Sequence, residues 1–184
     1  MDSKANKINL KLRDMCFIAI FAAVIAVLAQ ITVPMPLGVP LSLQTFAVML
    51  AGIILGARKA AVALIIYLLL GAVGAPVFVQ FGGGFHRIIG PWGGFLMSYP
   101  FVAFLIGFGS DTGKKFWLAV CLAAGAVMNL SAGMFWFAFI SQIGLRESFT
   151  AAFAPFIIAE TVKIVFAFSI GAPVRYFLRK TALI

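Results

Sequence analysis

Long apolar runs separated by short polar or glycine- and proline-rich breaks organise this chain. Residues 1–13 are polar and basic, with Lys4, Lys7, Lys11 and Arg13. An apolar run over 14–31 predicts a first helix, which stops where Pro34, Pro36, Gly38 and Pro40 break the chain. Further helices are predicted over 42–56, 60–73, 92–108, 116–140 and 151–178, with Ser42 a candidate N-cap of the second. Arg58 and Lys59 mark a tight turn, and Asp111, Thr112, Gly113, Lys114 and Lys115 form a later loop. Residues 141–150 connect the last two helices. At about 20 residues per span, the pattern predicts an all-α, polytopic membrane protein with six transmembrane helices in a single domain.

The segment 74–91 departs from this pattern. It holds Pro76, Gly82, Gly83, Gly84, Gly90 and Pro91, with Phe78, Phe81 and Phe85 between them. It is too long for a turn and too apolar for a flexible linker. An ordered lid or re-entrant loop is expected, the alternative being an interfacial loop resting on lipid headgroups.

Composition sharpens the class. The chain is 64% hydrophobic and 10% charged, against about 25% charged in soluble domains. It contains no Gly-x-x-x-x-Gly-Lys-Ser/Thr, so ATP hydrolysis is not expected of it. Ala22, Ala23 and Ala26 read as helix residues, not as a signal-cleavage site. Cys16 and Cys121 fall in apolar runs without metal-ligand spacing, and no cofactor or metal is implied.

The net charge of +9 suggests nucleic acid until its placement is considered. Lys4, Lys7, Lys11, Arg13, Arg58, Lys59, Lys114, Lys115, Arg175, Arg179 and Lys180 fall on one side of the predicted topology, and only Arg87 and Arg146 on the other. Eleven against two predicts that both termini are cytoplasmic, with lipid and not nucleic acid as the surroundings. The proline-rich loop and the segment 74–91 then face outward.

Glu160 and Lys163 carry the chemistry. They lie well inside the apolar stretch 153–168, and at spacing i, i+3 they share one helix face. A charge near the bilayer midplane costs roughly 2.5–3.5 kcal/mol or more, so it persists where it is paired, hydrated or used. A ligand site and a structural ion pair are both compatible with this spacing. Pro155, one turn earlier, removes a backbone hydrogen bond and loosens the helix beside them. Asn129, deep in the fifth helix, reads as an interhelical hydrogen bond or a ligand contact. Gln44 and Thr45 line a pocket or cap their helix. Arg87 suits a carboxylate ligand or a lipid headgroup, and His86 is expected to be a bystander. Ala19 with Ala23, and Ala22 with Ala26, form small-residue faces that admit a close neighbour helix.

Intramembrane catalysis is the rival class. The one histidine, His86, sits in a loop, and there is no His-Glu-x-x-His. Neither a serine nor a zinc protease is therefore expected.

Several motifs together resemble one family. The run Val39-Pro-Leu-Ser-Leu-Gln-Thr-Phe-Ala-Val-Met-Leu-Ala-Gly-Ile-Ile-Leu-Gly56 is similar to the signature of BioY, the biotin-binding membrane subunit of energy-coupling-factor (ECF) transporters. So are Tyr67-Leu-Leu-Leu-Gly-Ala-Val-Gly-Ala-Pro-Val-Phe78, glycines 82–84, Gly90-Pro-Trp-Gly-Gly-Phe95 and Pro155-Phe-Ile-Ile-Ala-Glu-Thr-Val-Lys163. The matches extend over nearly the whole chain. Glu160 stands where the family usually has aspartate, and Trp92 where it commonly has threonine.

The resemblance implies a subunit of the bacterial cell membrane that captures biotin from outside. A transmembrane coupling protein and two ATPase subunits would supply the energy, the chain itself not being an enzyme. Glu160, Lys163, Asn129 and Gln44 would form the polar set around the ureido ring. Phe78, Phe81 and Trp92 would cover the bicycle, Gly82 and Gly83 would contact the ligand from the loop, and Arg87 would meet the tail carboxylate. Ala19 and Ala23 match the family's Ala-x-x-x-Ala face for the coupling protein. Two alternatives stay open: a related subunit for thiamin or riboflavin, and a stand-alone membrane facilitator.

Overall fold

The computed structural model describes residues 2–33 and 41–181, with side chains described from Leu12 onward. The loop read at Pro34, Pro36, Gly38 and Pro40 and the side chains of Lys4, Lys7 and Lys11 lie outside the described residues. In chain order the elements are α1 (Asp2–Ala29), β1 (Thr32–Val33), β2 (Leu41–Ser42), α2 (Gln44–Leu55) and α3 (Ala57–Ala72). After a single 3-10 turn (Val79–Phe81) come α4 (Phe85–Ile89), α5 (Gly93–Asp111), α6 (Lys115–Ser141), α7 (Leu145–Ala152) and α8 (Phe156–Lys180).

Among the described residues, four helices are long and apolar enough to cross a membrane: α1 through its segment Leu12–Ala29, α5, α6 and α8. The apolar helix α2 is shorter, at 12 residues, and α3 has 16. Large apolar side chains such as Leu69, Phe101, Phe139, Ile158 and Val165 stand exposed on the outside of the helices. An apolar exterior of this extent fits a hydrocarbon solvent, not water.

Inside, small residues let the helices approach. Ala47, Ala51, Ala60, Ala63, Ala103 and Ala167 are buried between Ile25, Ile53, Leu64, Ile106 and Leu122. A Cβ on Gly107 would lie 2.3 Å from the Ala57 amide nitrogen, so α5 passes against the start of α3 only because it carries glycine there. Such close backbone approach is the main source of helix association where lipid removes the hydrophobic drive.

Local boundaries differ from those expected, each for a physical reason. The helix predicted from residue 14 runs back to Asp2, since nothing in the polar stretch breaks it. Leu43, not Ser42, is the N-cap of α2, although the Ser42 hydroxyl still accepts the Gln44 N–H at 3.4 Å. The connection 141–150 contains most of α7. The final helix begins at Phe156 with Pro155 as its N-cap. Pro155 therefore does not loosen a helix interior: it sits where the missing N–H costs nothing and a fixed φ favours helix initiation.

One end of the molecule is tied by a charged node. Arg175, only 7% exposed, donates to the Ile53 carbonyl and to Ser110 Oγ, both at 2.6 Å, and to Asp111 Oδ1 at 2.5 Å. Asp111 Oδ2 accepts the Ala57 N–H at 3.0 Å and so caps α3. Lys59 pairs with Asp14 at 2.6 Å. Arg175 therefore joins α8 to the ends of α2 and α5, and through Asp111 to the start of α3. With Glu160 and Lys163 it is one of three buried charged residues among those described, although its place near a helix end suggests only a flanking cation. Replacing it (Arg175→Met) is expected to lower the unfolding free energy of the ligand-free protein by about 2 kcal/mol, the scale of a hydrogen bond from a charged donor. A detergent thermal melt unchanged from wild type would show that the node contributes nothing.

Candidate functional site

The first turns of α8 place Phe156, Glu160 and Lys163 towards the first turn of α2. Glu160 and Lys163 are 4% and 7% exposed, and Lys163 Nζ lies 2.7 Å from Glu160 Oε1. Thr45 joins them: its hydroxyl donates to Glu160 Oε1 at 2.8 Å and accepts from Lys163 Nζ at 2.7 Å. The three form a closed triangle between α2 and α8, in which both contacts to the carboxylate fall on Oε1. Glu160 Oε2 is buried and has no hydrogen-bond partner. Lys163 retains one N–H beyond its two bonds.

A cavity of about 310 Å³ opens beside this triangle. Its apolar wall is Phe78, Val79, Trp92, Phe95, Leu96, Leu130 and Phe156, and its polar positions include Gln44, Thr45, Arg87, Tyr99, Asn129, Glu160 and Lys163. Small-molecule sites span about 300–1,000 Å³ and are mostly apolar with few placed polar groups. The Trp92 ring is stacked on Phe137, with centroids 5.5 Å apart and planes 10° from parallel.

Asn129 meets Ser98, with Oγ 2.7 Å from Asn129 Oδ1 and 2.8 Å from the Phe95 carbonyl. The hydroxyl has one proton to give. Donated to Asn129, it leaves the amide NH2 for the cavity; donated to Phe95, it lets the amide turn and present its oxygen. Asn129 thus offers a ligand either polarity.

Gln44 lines the cavity, but its amide is engaged. Its Nε2 donates to Tyr67 Oη at 2.6 Å, and its Oε1 accepts from Tyr99 Oη at 3.3 Å. Tyr67 in turn donates to the Val77 carbonyl at 2.9 Å. Gln44 therefore carries a polar chain from α5 through α2 and α3 to the segment after α3. Two N–H groups against one bonded partner leave it a single donor to spare.

The segment 74–91 folds against the bundle as a turn followed by α4. Phe78 and Gly82 exchange backbone hydrogen bonds at 2.8 and 3.2 Å. Phe78 packs edge-on against Tyr67 and fills the space over Gly71, where a Cβ would be 2.0 Å from the ring. Phe81, expected to cover a ligand, instead is 72% exposed and does not line the cavity. It is turned out by a left-handed backbone, φ 54°, directly after Gln80 at φ 57°. Gly82 and Gly83 do not line the cavity either. A Cβ on Gly82 would lie 3.0 Å from Arg87 Nε, so this glycine makes room for the guanidinium, which does reach the cavity. A Cβ on Gly83 would lie 2.5 Å from the Ala75 carbonyl, so this one lets two backbone segments pack. His86 is exposed on α4.

Gln44, Arg87, Trp92, Asn129, Glu160 and Lys163 are therefore brought together from five helices or their edges. Thr45 completes the ion pair. Tyr99, Ser98 and Gln80 join them without a motif, although a phenol or hydroxyl inside an apolar helix signals a need for a polar partner. On α1, Ala22 is buried while Ala19 and Ala23 are exposed, so the two small-residue faces point in different directions.

The comparisons with known proteins agree over almost the whole chain. The BioY family pattern matches residues 1–180. A probable biotin transporter BioY of Pyrococcus horikoshii is 36% identical over 154 residues, covering 84% of this chain and 91% of the relative. The biotin transporter BioY of Thermotoga maritima is 34% identical over 157 residues, covering 85% and 92%. The crystal structure of the S-component for biotin from an ECF-type ABC transporter superposes with a TM-score of 0.83 at 27% identity, over 91% of this chain and 93% of that one. With its apolar helices, this makes the chain a multi-pass membrane protein and a transport subunit rather than an enzyme, and it belongs to the BioY family.

Proposed function

We propose that the chain captures biotin at the outer face of a bacterial cell membrane, as the substrate-binding subunit of an ECF-type importer. The observation that carries this is the unpartnered Glu160 Oε2 beside the spare Lys163 N–H, inside a cavity of about 310 Å³. A ureido ring presents N–H donors next to a carbonyl acceptor, which is the complement of that pair. Glu160 Oε2 accepts a ureido N–H, and Lys163 with Asn129 serves the ureido carbonyl. Phe78, Trp92, Phe95 and Phe156 cover the apolar bicycle, and Arg87 meets the tail carboxylate. A cationic ligand such as thiamin is disfavoured by Lys163 and Arg87.

The topology proposed is six crossings, with α1, α2, α3, α5, α6 and α8 alternating in direction. Arg58, Lys59, Lys114, Lys115, Arg175 and Arg179 gather at the end opposite the cavity, so both termini are cytoplasmic and the cavity opens outward. A coupling protein docks on the exposed Ala19–Ala23 face and brings two ATPase subunits. Ala19 and Ala23 are both exposed, while internal packing of α1 uses Ala22.

Calorimetry of the purified chain with biotin, desthiobiotin and thiamin tests the ligand. Biotin is expected to bind and thiamin is not; the reverse order overturns the reading. Glu160→Gln or Lys163→Ala is expected to weaken biotin at least tenfold, about 1.4 kcal/mol. A ligand-free melt separates this from unfolding, because removing one partner leaves the other charge buried. Wild-type binding by two normally melting variants would make the pair purely structural. Ala19→Leu with Ala23→Leu is expected to abolish co-purification with the coupling and ATPase subunits while sparing biotin binding. Normal assembly would move the docking surface elsewhere.

A further inference from the structure

The roof of the cavity is held in a conformation that its own residues do not favour. Gln80 and Phe81 both have left-handed backbones, φ 57° and 54°. For residues with a Cβ this costs roughly 1–2 kcal/mol each. Yet Val79 and Gln80 line the cavity, so this turn sets the shape of its wall. Strain of this kind persists only where the surroundings enforce it.

The enforcing group comes from α1. The Gln30 side chain reaches across 51 residues of sequence, and its Oε1 accepts the Phe81 N–H at 2.7 Å. Its Nε2 faces the Phe78 carbonyl at 3.1 Å, the Val77 carbonyl at 3.3 Å and the Ala26 carbonyl on its own helix at 2.9 Å. One amide therefore clamps both ends of the turn. A side chain combining an acceptor with donors at that distance is required, and among uncharged residues of this length only glutamine supplies both.

We infer that Gln30 is a positioning residue for ligand retention: it latches the strained turn to the end of α1 and so keeps the roof closed over the cavity. Gln30 itself does not line the cavity, so it acts through the loop backbone. The retention part rests on the biotin reading above. The latch does not, since it is built from contacts of the ligand-free protein. It also makes α1 the support of the roof, so that displacing α1 relative to the segment 77–81 loosens it.

The test uses the full chain in detergent with Gln30→Met, which keeps the length and removes the hydrogen bonds, and Gln30→Glu, which keeps the acceptor for Phe81. Two quantities are read: exchange of the Phe81 amide hydrogen without ligand, and the rate at which bound radiolabelled biotin is lost in a chase. Gln30→Met is expected to speed both at least tenfold, and Gln30→Glu to fall between Met and wild type. Should Gln30→Met fail to fold, Gln30→Glu against wild type decides in the same direction. Wild-type exchange at Phe81 in the variants overturns the latch. Fast Phe81 exchange with unchanged biotin loss overturns the retention role. If the wild type itself holds no biotin, the biotin reading falls, while the ligand-free exchange still decides the latch.

Discussion

A carboxylate and an ammonium surrounded by apolar side chains persist only as close neighbours, and the site is arranged around that constraint. Taking each charge out of water costs several kcal/mol, recovered only with good geometry and further hydrogen bonds. Glu160 and Lys163 satisfy this within one helix turn, and Thr45 closes the triangle from α2. The arrangement is complete except at Glu160 Oε2 and at the third N–H of Lys163. A buried acceptor without a donor costs about 1–3 kcal/mol, which a ligand N–H restores. In the proposed capture of biotin, the protein holds before binding the shape and polarity that the ligand would complete, so little would have to be ordered at the moment of capture.

The rest of the molecule keeps that triangle in place. At the opposite end, Arg175 fixes α8 against α2 and α5. Between the two ends, Gly171 lets α8 lie close to α2, since a Cβ there would be 2.9 Å from Ile53, and Gly52 lets α2 lie close to α5, where a Cβ would be 2.9 Å from Ile106. A helix held at both ends by hydrogen bonds and packed on small residues has little freedom to rotate. Rotation about its axis would carry Glu160 and Lys163 off the cavity face. The polar chain Tyr99–Gln44–Tyr67–Val77 extends the same order to the loop that roofs the cavity.

What is legible in the sequence follows from how local each signal is. Glu160 and Lys163 stand out because a charge inside an apolar run is too costly to keep unless it is paired or used, and Asn129 stands out by the same reasoning for a polar amide. The apolar runs mark the helices, but glycines and prolines alone do not give the path of the segment 74–91. Phe81 shows why: an aromatic in a glycine-rich loop reads as a ligand cover, while its direction is set by two left-handed residues held from α1. Gly82 and Gly83 are visible as glycines, but their use, space for Arg87 and for the Ala75 carbonyl, depends on contacts made after folding. Arg175 looks like one more flanking cation, because burial near a helix end is decided by Asp111 and Ser110 on another helix. Pro155 is ambiguous between kinking a helix that starts at 151, as predicted, and starting one at Phe156, as observed.

The central claim is that Glu160 Oε2 is the acceptor for a ureido N–H of biotin. Calorimetric titration of the purified chain with biotin and with biotin methylated on both ureido nitrogens tests it most directly. Methylation removes the donors, keeps the ureido carbonyl and the tail, and leaves the buried carboxylate oxygen unpaired. The account predicts an affinity at least tenfold lower for the methylated ligand, about 1.4 kcal/mol, and a smaller difference in Glu160→Gln. Equal affinities for the two ligands in the wild-type protein would contradict it.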